Sequence, residues 1–352
     1  MQANYLRSLL VKNIVLVIAF AVMTISAFYS LTVGSYESGF EMMRLLFVQH
    51  DETAWYLVQE LRAPRVISSL LVGSALAVSG AIMQNILRNP LASPFTLGIS
   101  HGAAFGATLA ITVFGAGTLT YAGVGAKFVD SGSIAVFAFL GSLVSSALIL
   151  ALSALRRSAP EFIALSGIAI GAFFGALTML LQYFATDFQL AATVFWNFGD
   201  LGRAGYNEIY IVAALCLPAI AVLCLLGWSF NAMLLGDIEA KSLGVNAGAL
   251  RIGSILLATV LASSATAYYG IIGFVGLIAP HIGRIFVGED YRYLTPLSAM
   301  LGATLLTISD IASRTVLAPT ILPVGILTAM LGAPLFLYLA TFSKKRSSHA
   351  RT

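Results

Sequence analysis

The residues of this chain that could do chemistry are few and scattered. Asp310 is the clearest ionisable side chain inside an apolar run, and an intramembrane carboxylate is a functional hypothesis by default. A structural reading is equally open, because Arg314 lies four residues on and on the same helical face. The histidines His50, His101, His281 and His349 show no metal-ligand spacing, and His281 after Pro280 reads as a helix-end polar group. Cys216 and Cys224 share one apolar run and read as packed free thiols. None of the five lysines follows a glycine, so the chain has no Gly-x-x-x-x-Gly-Lys-[Ser/Thr] loop of its own for a nucleotide. No Gly-x-Ser-x-Gly or His-Glu-x-x-His frames a nucleophile or a zinc site, which argues against an intramembrane enzyme. No line of Asp, Glu and His crosses the apolar runs, which argues against a proton- or sodium-coupled carrier.

The elements that must position these residues are membrane spans. Of the 352 residues 59% are hydrophobic and only 10% charged, far from the roughly 25% charged of a soluble domain. The bilayer is the solvent for such a chain. Ten spans are expected, at roughly 13–33, 65–87, 95–114, 133–154, 162–184, 207–228, 252–269, 272–287, 296–314 and 323–342. The expected fold is an all-α polytopic bundle forming a single domain over 1–352. No cleavable signal peptide is read, since the run from Ile14 to Leu31 is long enough to span and stay.

An even count places both termini on one side. If that side is cytoplasmic, 13 basic residues fall inside, among them Arg88, Arg156, Arg157, Arg251 and Arg351. Six fall outside: Arg44, Arg62, Arg65, Lys127, Arg203 and Arg314. The positive-inside rule favours this orientation and leaves the six to be explained. The net charge of +4 serves membrane orientation and implies no nucleic acid.

Two spans carry glycine at every fourth position, Gly98, Gly102 and Gly106 in one and Gly167, Gly171 and Gly175 in the other. Such ladders let helix backbones approach closely, either as fixed packing or as a sliding surface. Proline and glycine interrupt several span ends, as in Asn89-Pro90-Leu91-Ala92-Ser93-Pro94 and Leu322-Pro323-Val324-Gly325. Broken helices are tolerated only against protein or a water-lined cavity, which suits a transporter better than an anchor.

The stretch LRAPRVISSLLVGSALAVSGAIMQNILRNPLASPF from Leu61, GIIGFVGLIAPHIGRIF from Gly270 and LPVGILTAMLGAPLFLYL from Leu322 resemble the FecCD-type permeases of ABC importers for iron-siderophores, haem and cobalamin. The likeness covers nearly all of the chain beyond residue 60. It implies a type II importer permease fold in the inner membrane and a second permease copy. It also implies two cytoplasmic ATPase subunits, which carry the ATP and magnesium, and a periplasmic or lipid-anchored binding protein. No cofactor is expected on this chain. Ferric siderophore is the leading expectation for the cargo by family frequency, with haem, cobalamin and molybdate-like oxyanions as alternatives.

The resemblance also implies site roles. Leu235, Gly236, Asp237, Glu239, Ala240, Leu243 and Gly244 match the family's ATPase-coupling segment, within an inner stretch of about 229–251; an ordinary solvated loop is the alternative. Arg62, Arg65 and Arg314 match the outer arginines expected to receive acidic residues of the binding protein. Asn89 and Leu91 match the loop near the cytoplasmic gate. The family's glutamate two residues before the proline of Pro-Val-Gly is replaced here by Ile321.

Overall fold

A computed structural model describes every residue except 1, 35–38, 118, 122–125, 129–131, 156–159, 204 and 350–352. Arg156, Arg157 and Arg351, counted above among the inner basic residues, lie outside the described residues.

The chain is a helical bundle. In order, the helices are α1 (Gln2–Thr32), α2 (Phe40–Phe47), α3 (Glu52–Tyr56), α4 (Ala63–Ile86), α5 (Ile99–Thr112), α6 (Gly132–Leu155), α7 (Pro160–Tyr183), α8 (Asp187–Asn197), α9 (Tyr206–Leu225), α10 (Gly227–Leu235), α11 (Asp237–Ser242), α12 (Ala247–Tyr269), α13 (Val275–Val287), α14 (Tyr291–Thr315) and α15 (Val324–His349). A π-helical turn, Leu57–Arg62, joins α3 to α4, and a short antiparallel hairpin pairs Leu119–Tyr121 with Ala126–Phe128.

Among the described residues seven helical stretches are long and apolar enough to cross a membrane, and α13 and the first part of α15 are shorter apolar helices. The stretch containing α4 is the centre of the bundle, with 83% of its apolar window buried, whereas that of α1 is 11% buried and lies at the periphery. Around α4 the helices close on one another through small residues. A Cβ placed on Gly73 would overlap the Gly302 carbonyl of α14, and one on Gly80 would overlap the Gly276 carbonyl of α13. Hydroxyl pairs add polar ties between helices, Ser69 to Thr307 at 2.8 Å and Ser68 to Tyr269 at 2.8 Å.

The glycine ladders divide. Gly102 and Gly141 face each other across α5 and α6, Gly106 abuts the Phe137 carbonyl, and Gly98 and Gly167 sit against the partner backbone. Gly171 faces the His101 ring, and Gly175 has nothing within 4 Å, so the second ladder is a packing surface only at its start.

Two spans expected to be full-length are not. The expected span 95–114 becomes a helix only from Ile99, and the expected span 272–287 only from Val275. At 1.5 Å per residue α5 and α13 are each about 20 Å long, short of a hydrocarbon core of about 30 Å. Gly98 and Gly270 take positive φ (75° and 77°), as does Phe274 (66°), and these turns stop the helix without any drop in hydrophobicity. Pro280 inside α13 cannot donate to the carbonyl four residues back. That Gly276 carbonyl instead accepts from Gln84 Nε2 at 3.1 Å.

Candidate functional site

Helix α4 has a charged junction at each end. At its start, Arg65 donates to Asp310 Oδ1 through Nε (3.1 Å) and Nη2 (2.9 Å), and to Asp200 Oδ1 through Nη2 (3.1 Å). Asp310 is fully buried. Arg314 Nε lies 3.0 Å from the other carboxylate oxygen, close enough for an ion pair. One buried anion is therefore shared by two arginines, and both readings of Asp310 converge on a network rather than on the simple helical pair.

Arg314, joined by Arg62, also closes the end of α1. Arg314 donates to the Val33 carbonyl (2.6 Å), the Ser30 carbonyl (3.2 Å) and Ser30 Oγ (2.6 Å), and Arg62 donates to the Leu31 carbonyl (3.1 Å). The last carbonyls of a helix lack intrahelical partners and carry the negative end of its dipole, so cationic donors suit them. Arg62 and Arg314 are only 6% and 5% exposed. The three arginines matched to binding-protein docking also hold groups within the chain. They reach the surface through a cavity of about 200 Å³, which Glu60, Gly34 and Ile321 also line.

A second cavity of about 380 Å³ is lined by Phe95, Phe198, Phe274 and Met330, with Ser93 and Asn197 among its few polar groups. It lies where the irregular stretches before α5 and α13 come together. Phe95 and Phe274 were not singled out from the sequence, because nothing in an aromatic residue within an apolar run marks it as cavity-lining.

At the far end of α4, Asp237 opens α11. It accepts from Arg88 Nη2 at 2.7 Å and, through both carboxylate oxygens, from Arg251 Nη2 at 3.0 Å. Gly236 holds φ at 127°, with the Glu239 carboxylate folded against it, and Gly244 ends the turn at φ 84°. Ala240 is fully buried, whereas Leu235, Leu243 and Ile238 are 64%, 62% and 83% exposed. The matched coupling residues thus run from the end of α10 through α11 to the turn after it, pinned by the ion pairs of Asp237 and carrying exposed apolar side chains at Leu235 and Leu243. Ile238, more exposed than either, was missed because it sits between the matched Asp237 and Glu239. Next to this helix, Asn89 Oδ1 accepts from the Leu91 amide at 2.9 Å, fixing a tight turn with Leu91 half exposed.

The start of α14 is tied to the same end. Asp290 accepts from Arg292 through both oxygens (2.8 and 2.6 Å), from Lys12 of α1 (3.1 Å) and from Asn231 of α10 (2.8 Å). The Arg292 hydrogen bonds, and then those from Asn231 and Lys12, hold its carboxyl well below the usual carboxylate range. Among the described residues no three His, Cys, Asp or Glu side chains converge as metal ligands.

Apolar spans, backbones packed through glycine, two apolar helices too short to span and an apolar cavity where the irregular stretches before them meet are the features of a membrane permease. The chain belongs to the FecCD transport family, whose family model matches residues 22–342. It is 38% identical to the hemin transport system permease protein of Yersinia pestis over 85% of this chain and 87% of that protein. It is 36% identical to the Fe(3+)-citrate import system permease protein of Bacillus subtilis over 84% of this chain and 85% of the relative. A solved inward-facing structure, assigned to the metal-chelate type of ABC transporter, superposes with a TM-score of 0.81 at 31% identity. That match covers 93% of this chain and 98% of the other.

Proposed function

We propose that this chain moves a metal chelate, ferric siderophore first among candidates, from periplasm to cytoplasm, driven by ATP hydrolysis on partner subunits. The observation that carries the reading is α11. Three exposed apolar side chains cluster in sequence about it, Leu235 at the end of α10, Ile238 within α11 and Leu243 just past it, beside the ion-paired Asp237, and a solvated loop has no use for them. They fit a cytoplasmic ATPase, one per permease copy in a complex of two permeases and two ATPases, with ATP and magnesium bound by those subunits. This places Asp237, Asn89 and both termini on the cytoplasmic side of the inner membrane. The whole chain then acts as one permease domain.

The Arg62, Arg65 and Arg314 cavity then faces outward and receives a carboxylate of the binding protein. Arginine suits that task because its planar fork holds a carboxylate at two points. An ion-coupled transporter would need a carboxylate at depth free to take up a cation, and Asp310 is already held by Arg65 and Arg314. The relatives named above carry hemin and Fe(3+)-citrate, which supports an iron chelate as cargo.

The test is ATP hydrolysis by the purified chain assembled with its ATPase in lipid vesicles, with and without the binding protein encoded beside it. Stimulation by the loaded binding protein is expected. A hydrolysis rate indifferent to it would overturn the reading.

A further inference from the structure

We propose that Arg88 is the positioning residue through which movement of α11 is passed to the gate turn at Asn89–Leu91; the inference rests on the importer reading above. Asp237 is held by two arginines of unlike standing. Arg251, from α12, has a side chain only 8% exposed and grips both carboxylate oxygens, so it anchors α11 to the bundle. Arg88 is 44% exposed, follows the end of α4 and reaches the same carboxylate at 2.7 Å, with a longer contact to the Met233 carbonyl of α10 at 3.4 Å. A displaced α11 therefore keeps its hold on α12 and pulls on Arg88.

The backbone at Arg88 is suited to respond. Its φ is +46°, a left-handed conformation that is uncommon for a residue with a Cβ and costs free energy. The Arg88–Asp237 bond ties the side chain of this residue to the start of α11. Release of that bond removes one constraint on the left-handed turn. The next residue is Asn89, whose side chain fixes the Leu91 amide, so a change at residue 88 is carried directly into the turn that holds Leu91. An exposed ion pair adds little to stability, so the value of this one lies in its placement.

The test uses the full complex with its ATPase in lipid vesicles. Spin labels are placed on L91C and on L225C, an exposed position at the end of α9, and the distance between them is measured without nucleotide and with ATP plus vanadate. Buried Cys216 and partly buried Cys224 are replaced by alanine. In the parent complex the distance distribution is expected to shift on nucleotide binding. With R88A, ATP hydrolysis is expected to stay within about twofold while that shift falls by half or more, and R88K is expected to restore part of it. A full shift in R88A would overturn the inference and leave the importer reading standing. So would loss of ATPase association, since Arg88 would then be an assembly contact. No shift in a parent complex that still hydrolyses ATP in response to the binding protein would overturn the gate-turn inference alone. A parent complex with neither response would overturn both.

Discussion

Removing the Asp310 carboxylate should destabilise the permease more than any comparable change on α14. In D310A two guanidinium groups lose their shared anion in a site where Asp310 is fully buried and Arg314 only 5% exposed. Removing one partner of a buried ion pair costs about 3–5 kcal/mol, because the other charge is left uncompensated. Arg65 keeps Asp200, and Arg314 keeps Ser30 and the Val33 carbonyl, which places the expected loss near the lower end, about 3 kcal/mol. At about 2 °C per kcal/mol for a large domain, the detergent-solubilised chain should melt about 6 °C lower. I308A, a half-exposed position less than one turn away, serves as the control. The double variant D310L with R314M should recover part of the loss of D310L, because it removes charge together with countercharge. A D310A melting temperature within about 1 °C of the I308A control would refute the argument that this network holds α4, α14 and α1 together.

Other outcomes follow from the same structure. G80A should cost at least about 1–3 kcal/mol and reduce the yield of folded protein, because the added methyl meets the Gly276 backbone, which cannot turn aside. G175A should be neutral or stabilising by up to about 1 kcal/mol, since its Cβ meets nothing and alanine is the better helix former; melting curves of the two variants separate these cases. I238D should weaken ATPase association about 10- to 100-fold in a pull-down titration without lowering the melting temperature, as it removes one exposed apolar side chain from the docking segment. Asp290 has a depressed folded pKa, so its contribution is present in full above the ordinary carboxylate pKa of about 3.9 and is lost as pH falls towards the folded value. The stability gap between the parent and D290N should therefore hold steady from pH 8 to about pH 5 and close only below about pH 4, measured by thermal melting across pH.

Hydrophobic runs made most spans legible, and the four-residue spacing of Asp310 and Arg314 announced a contact that the structure contains. The partner of greater reach, Arg65, could not be read, because no local spacing links residues 245 positions apart. Gly98, Gly102 and Gly106 were readable as a packing stripe, but the approaches around α4, Gly73 to Gly302 and Gly80 to Gly276, involve glycines with no repeating pattern. The late starts of α5 and α13 were hidden because hydropathy reports the solvent of a segment and not whether its backbone is helical. Helix α8 did carry a readable signal that went unused. Thr186 and Gln189 form a reciprocal capping box, a pattern that announces a helix start even in a segment too short to span.

The arginine cap on α1 also bears on the order in which the protein can be completed. Helix α1 is made before α14, and Arg314, the residue that binds the carbonyls of Ser30 and Val33 at its end, follows them by more than 280 residues. Until α14 arrives, those carbonyls have to be served by water at the membrane surface. Helix α1 is therefore seated provisionally during synthesis, and its place is sealed only once α14 has been made. A chain truncated before residue 314 should leave α1 loosely held and open to quality-control proteases, however hydrophobic it is.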